Sequence, residues 1–342
     1  MIKSKILVVL GVALAVLLAI NLVQRSGHKK ATSQSATAVI IPGPIVADDL
    51  SRISLGFGDN AETVVLNHQP TGWVIDTAWG AAVDQTRVDA LVRNLQGLTG
   101  EYRSDNAAVL SDYGLADDNA VHINATNTAG ETVIGLKVGR KPERYPGNFV
   151  RLSGENSVYV CQKNILGQLG IYGEPEAPKS RYFLDLQAVK EDRLAVDKIV
   201  LKGDQELTLV KKFAVEEPDS AGAEPTIDRN TWEWELAGHA KAALAKTKVD
   251  AVLNSLVVIR AADIVDPDAD LASYGLDSPA RQASLYLQDG RVVTLNFGGE
   301  HTASAGSPAG TFMQVAGQKT VWVVTEYSIK NIFKTESELE SE

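Results

Sequence analysis

A single cysteine, Cys161, excludes an intrachain disulfide and any multi-cysteine metal site, so covalent staples play no part in this fold. Histidine is scarce: His28, His68, His122, His239 and His301 form no His-x-x-x-His pair and no zincin spacing, which disfavours a zinc hydrolase. No phosphate loop of the Gly-x-x-x-x-Gly-Lys-Ser/Thr type occurs, so any ATP hydrolysis belongs to a partner. The run Gly306-Ser307-Pro308-Ala309-Gly310 lacks the central serine of a Gly-x-Ser-x-Gly elbow and reads as a loop. Basic residues are outnumbered, 33 Lys and Arg against 43 Asp and Glu, and a net charge of −10 argues against a nucleic-acid surface. With 28 glycines and 12 prolines the chain is neither collagen-like nor globally disordered.

What is present is enough length, 342 residues, for two ordinary cores, and one long apolar run. Residues 6–23 read ILVVLGVALAVLLAINLV, whose only clearly polar member is Asn21, close to the ~20 residues a helix needs to cross a bilayer. A cleaved signal peptide has a shorter apolar core and a small-x-small site, and neither is seen, so the run reads as an uncleaved signal anchor. Lys3 and Lys5 before it are nearly balanced by Arg25, Lys29 and Lys30 after it; a short cytoplasmic tail is the usual arrangement. That places the bulk outside the cytoplasm, in the periplasm of a Gram-negative cell. Residues 26–47, rich in Ala, Ser, Thr, Pro and Gly, read as a tether.

The soluble part is duplicated. Thr86-Arg87-Val88-Asp89-Ala90-Leu91 returns as Thr247-Lys248-Val249-Asp250-Ala251-Val252, and Trp73 and Tyr113-Gly114-Leu115 return in the same register as Trp234 and Tyr274-Gly275-Leu276. Leu136-Lys137-Val138-Gly139 answers Leu295-Asn296-Phe297-Gly298, and Val158-Tyr159-Val160 answers Val321-Trp322-Val323. The second copy carries extra residues before its tryptophan, in the acidic run 216–230, which reads as a hairpin tip. Each copy predicts strands (53–55, 63–67 and 73–75; then 198–202, 206–211 and 232–236), one amphipathic helix, period-2 strands and a helical end. Thr86 with Asp89, and Thr247 with Asp250, read as N-terminal capping boxes. The expected fold class is α+β: an N-terminal transmembrane helix followed by two tandem repeated α+β modules with antiparallel sheets. The expected boundaries are tail and anchor 1–25, linker 26–47, module one 48–170, inter-module linker 171–196, module two 197–334 and a frayed acidic tail 335–342.

Gly72-Trp73, Val83-Asp84, Tyr113-Gly114-Leu115 and Tyr274-Gly275-Leu276-Asp277-Ser278-Pro279 resemble the bacterial family called domain of unknown function 4340, over most of residues 48–334. Copy two departs from the pattern at Ala242-Ala243, where copy one has Val83-Asp84. The family is associated with gliding-motility-type ABC-transporter auxiliary proteins, so the resemblance implies a membrane-anchored accessory subunit of an export or envelope system.

The search for chemistry returns no catalytic, cofactor or metal residue. Cys161 aligns with Val324 and reads as a buried thiol; His122, opposite Ala283 in the alignment, reads as a surface strand residue. Asp266, Asp268 and Asp270 echo a calcium loop, but Leu271 and Asp277 stand where Gly and Glu belong, which favours a solvated acidic loop. Trp73 and Trp234 read as hairpin anchors, Trp79 and Trp232 as half-buried loop aromatics, and Tyr113 and Tyr274 as turn anchors. The expectation is a non-enzymatic single-pass protein of the bacterial inner membrane. Its partners would be an ABC-type permease and ATPase or an auxiliary membrane protein, with the bilayer met through residues 6–23, and no nucleic acid. The alternative is a membrane-tethered periplasmic protein that binds a glycan or another envelope component.

Overall fold

The computed structural model describes residues 37–59, 61–216, 226–239, 243–304 and 307–341. The chain divides into two compact units, one of the residues up to His68 with Thr86–Pro178, the other of Gln69–Gln85 with the residues from Lys179 onward.

In chain order the strands are β1 (Thr37–Val39), β2 (Leu50–Phe57), β3 (Ala61–Gln69), β4 (Gly72–Ile75), β5 (Ala81–Ala82), β6 (Thr99–Ser104), β7 (Val121–Asn127), β8 (Thr132–Val138), β9 (Phe149–Leu152) and β10 (Val158–Val160). There follow β11 (Gln187–Lys190), β12 (Val196–Lys202), β13 (Glu206–Glu216), β14 (Thr226–Leu236), β15 (Val258–Arg260), β16 (Asp263–Val265), β17 (Arg281–Leu287), β18 (Val292–His301), β19 (Gly310–Val315) and β20 (Val321–Val324).

The first unit's strands lie in the order β1-β6-β10-β9-β8-β7-β2-β3, and the second unit's in the order β14-β13-β12-β17-β18-β19-β20-β16. Read from the opposite end, the second order reproduces the first: β16 takes the place of β6, β20 of β10, β19 of β9, and so on to β13 for β3. The duplication therefore reaches the topology, not only the landmarks. Every pairing given in the two sheets is antiparallel, as hairpin-linked strands with one apolar face require.

Alternation builds the two cores. On β7, Val121, Ile123 and Ala125 are buried, as are Leu136 and Val138 on β8; in the second unit Ala283, Leu285, Leu295 and Phe297 do the same. One helix per unit supplies a matching stripe at helical spacing: Val88, Leu91, Val92 and Leu95 on Gln85–Leu95, and Val249, Val252, Leu253 and Leu256 on Lys246–Val257.

The α+β expectation is corrected. Strand content is 43% against 22% helix, because one helix of three turns stands beside seven or more strands in each unit, and the fold is mostly antiparallel sheet. Among the described residues no helix is long and apolar enough to cross a membrane. The run 6–23 on which a transmembrane helix was expected lies outside the described residues, as do 217–225 of the expected hairpin tip.

Two local expectations also fail. The helices begin at Gln85 and Lys246, so Thr86 and Thr247 sit inside the first turn rather than capping it, and the cap position Ala245 makes no side-chain hydrogen bond. The acidic C-terminus does not fray. Thr335 and Glu338 form a capping box for the short helix Glu336–Leu339, Leu339 is 1% exposed, and its carbonyl accepts from the Ala245 N–H at 2.8 Å. Burying that leucine offsets the cost of ordering a charged tail.

The recurrent Tyr-Gly-Leu turn has a steric cause. Gly114 and Gly275 close it at φ +66° and +65°, a conformation glycine adopts without a Cβ clash. The strand segment opposite must then present a glycine too, since a Cβ at Gly139 or Gly298 would fall within 3.0 Å of the carbonyl oxygen of Tyr113 or Tyr274. Gly139→Ala and Gly298→Ala are each expected to destabilise their unit by about 1–3 kcal/mol through overpacking. Gly173→Ala, which meets nothing within 4 Å, should stay within ~0.5 kcal/mol in the same urea titration.

Candidate functional site

The turn is held down by a row of polar side chains that runs across the sheet rather than along a strand. Register places His122 on β7 beside Lys137 on β8, and Lys137 beside Arg151 on β9. All three are buried, at 2%, 8% and 3% exposure. Arg151 Nε donates to the Leu115 carbonyl at 2.9 Å, and Arg151 Nη2 and Lys137 Nζ both donate to Asp117 Oδ1 at 2.5 Å. Charge-assisted bonds of this kind are the strong ones, and here they pin the residues that follow Tyr113. The two cations hold the Asp117 carboxyl below the usual carboxylate range, Lys137 contributing most.

The second unit keeps the row and drops the charge. Gln282, Asn296 and Gln314 stand in the same lateral register on β17, β18 and β19, with Gln282 Nε2 donating to Asn296 Oδ1 at 2.9 Å. The structural counterpart of His122 is therefore Gln282, not Ala283, because the second copy is one residue shorter between its Tyr-Gly-Leu turn and β17. Nor is His122 a surface residue; Nδ1 is buried with no hydrogen-bond partner.

With its turn fixed, Tyr113 packs edge-on against Phe149 at 4.7 Å between ring centroids, and Tyr274 lies tilted against Phe312 at 4.6 Å. Over this shared floor the two copies differ. In the second unit His301 lies edge-on to Phe312 at 5.3 Å and its Nε2 is 2.9 Å from Ser307 Oγ, so the imidazole lies over this side of the pair. In the first unit the segment Arg140-Lys141-Pro142-Glu143-Arg144-Tyr145 turns away and leaves a groove of about 350 Å³. Arg103, Arg140, Lys141 and Arg144 line it with Tyr113, Phe149 and Tyr145. Arg103 is paired with Glu101 at 2.9 Å and lies 5.7 Å over the Tyr145 ring. Among the described residues no ion pair engages Arg140, Lys141 or Arg144, and all three are exposed. Glu143 is the one acid on the lining, so the groove is net positive on a chain of net charge −10.

The residue before Phe149 is held by buried hydrogen bonds. Asn148 is fully buried, donating to the Gly139 carbonyl at 3.2 Å and accepting from the Leu166 N–H at 3.2 Å. Cys161 donates to the Asn148 carbonyl at 3.3 Å, and burial pushes its thiol above the usual range. It packs as a small apolar side chain with a weak donor.

The model of the family described as Domain of unknown function (DUF4340) matches residues 73–219 and 234–339. The chain belongs to that family. The two matched stretches open on Trp73 and Trp234, the recurrent tryptophans. No curated protein and no solved structure matches this DUF4340 chain.

The other sites considered from the sequence go elsewhere. Asp266 accepts from the Asp268 N–H at 2.9 Å and Asp270 from the Ala272 N–H at 3.1 Å, so these carboxylates shape a turn. Among the described residues no three His, Cys, Asp or Glu side chains converge to hold a metal ion. His239 Nδ1 lies 2.8 Å from Glu336 Oε1, while His28 and Gly306 lie outside the described residues.

Trp232 is no loop aromatic; it is 4% exposed on β14 and lies within a cation cluster of the second unit. Lys211 and Lys246 stand 4.3 and 4.0 Å from its ring, and Asp250 accepts from Trp232 Nε1, Trp234 Nε1 and Lys246 Nζ at 3.1, 2.8 and 2.8 Å. Burial, reinforced by the Arg193 charge, lowers the Lys211 ammonium to about 8.

Two pH effects follow. Burial and the Lys137 charge lower His122 below its ordinary 6.5, so its contribution is fully present above that value and is lost as pH falls toward the folded one. His122→Gln, which imports the second unit's solution, is expected to flatten that acid-side loss in a denaturation series. For Lys211 the unfolded chain binds more protons between about 8 and 10.5, so stability rises with pH across that window. The difference between wild type and Lys211→Met should show the rise; a flat difference would contradict the buried ammonium.

Proposed function

We propose that this protein is a non-enzymatic accessory or scaffold subunit of an ABC-type export or envelope complex, working at the extracytoplasmic face of the bacterial inner membrane. The observation that carries the reading is the basic groove of the first unit. Guanidinium groups are permanently charged planar donors suited to holding a carboxylate or phosphate. Three cations without ion-pair partners among the described residues, over an aromatic floor, form a surface for capture. The second unit repeats the architecture with its floor covered, which suits a structural role. The DUF4340 membership and the associations of that family supply the setting.

Affinity purification of the tagged full-length protein from its own gently solubilised membranes is the test. Recovery of a permease and an ATPase in stoichiometric amounts is the expected result, reduced by Arg140→Glu/Arg144→Glu. Recovery of the protein alone would overturn membership of a complex.

A further inference from the structure

A second cavity of about 280 Å³ adjoins the basic groove and shares Tyr145 and Val160 with it. Its lining differs in kind. Thr37, Thr99, Glu101 and Gln162 bring hydroxyl, carboxylate and amide groups that donate to and accept from neutral hydroxyls, and the one cation on this lining, Lys163, donates to the Asn94 carbonyl at 2.9 Å. Tyr145 stands between the two spaces, 57% exposed, a rigid ring with a polar tip and few rotamers to freeze on binding. One cavity falls just below and the other just above the lower bound of ordinary ligand sites, ~300 Å³, whereas the pair reaches well into that range.

Resting on the reading of the groove as a binding surface, we infer that the two cavities are consecutive subsites for one elongated ligand, an acidic oligosaccharide. Its carboxylate lies among Arg140, Lys141 and Arg144, a sugar ring packs against Tyr145, and the next residue's hydroxyls meet Thr37, Thr99 and Gln162. An extended acidic peptide fits less well. Peptides gain affinity by adding to an open strand edge. Along the second cavity β6 is flanked by β1 and by β10, and the edge strand β1 offers only the three described residues Thr37–Val39.

Calorimetric titration of the full-length protein with defined probes tests this. Tetragalacturonate should bind at least about tenfold more tightly than galacturonate, because the second subsite adds contacts without a second association cost. Maltotetraose, neutral and of the same length, should bind more weakly than either. Tyr145→Ala should collapse the advantage of the tetramer, and Arg140→Glu/Arg144→Glu should abolish binding of both acids. These side chains are exposed, and thermal unfolding of each variant verifies that the fold is kept. A tetramer no tighter than the monomer, or an advantage untouched by Tyr145→Ala, overturns the two-subsite inference. If Arg140→Glu/Arg144→Glu still abolishes galacturonate binding in that case, the groove itself survives. Tetraglutamate binding as tightly as tetragalacturonate overturns the saccharide assignment in favour of an acidic peptide. Failure of every anion to bind overturns the inference and the groove together.

Discussion

The approach of a glycine on the neighbouring strand segment to the carbonyl of a turn tyrosine is the constraint on which both units depend. Gly139 against Tyr113, and Gly298 against Tyr274, leave no room for a Cβ. The approach fixes how β8 and β18 lie against their turns; β8 ends just before its glycine, whereas β18 shifts register at Gly298 and runs on to His301. It also sets the ring of the tyrosine over Phe149 or Phe312. Because the close contact is made by backbone and glycine, flanking side chains are free to change without loosening it.

That freedom has been used differently in the two copies. The lateral row keeps its position while exchanging His122, Lys137 and Arg151 for Gln282, Asn296 and Gln314. A charged row costs more to bury, and the cost is offset because Asp117 accepts from both cations. The neutral row satisfies itself in part through the Gln282–Asn296 bond. Beyond the glycine, the first copy continues with arginine, lysine, proline and a tyrosine, the second with glutamate, histidine and small residues. One sequence leaves an open basic groove over the aromatic floor; the other lays His301 across it.

Much of the fold was legible from periodicity. The period-2 runs became β7, β8, β17 and β18, the helical stripes became the two buried helix faces, and the repeated landmarks became a repeated strand order. The misreadings share a physical cause, which is that local patterns do not say which tertiary partner wins. Asp250 has the spacing of a capping box, but two indole N–H groups and Lys246 claim its carboxylate. Glu336 to Leu339 read as charge, yet Leu339 decides the outcome by being buried. The α+β assignment gave one helix per unit the weight of a layer, when the strands outnumber it. The groove was missed because a net charge of −10 masks the short basic run Arg140-Lys141-Pro142-Glu143-Arg144, and Arg103 lies far from it in the chain. Setting the two post-glycine loops side by side was the signal that would have found it.

The decisive measurement is the position of bound anion in crystals of the protein soaked in selenate, located by anomalous scattering. Recognition built on the first copy's loop predicts a selenium peak within hydrogen-bond distance of Arg140 and Arg144, and none above Tyr274 and Phe312. Peaks of equal height over both aromatic floors, or a first-unit groove empty while selenate binds elsewhere, would contradict it.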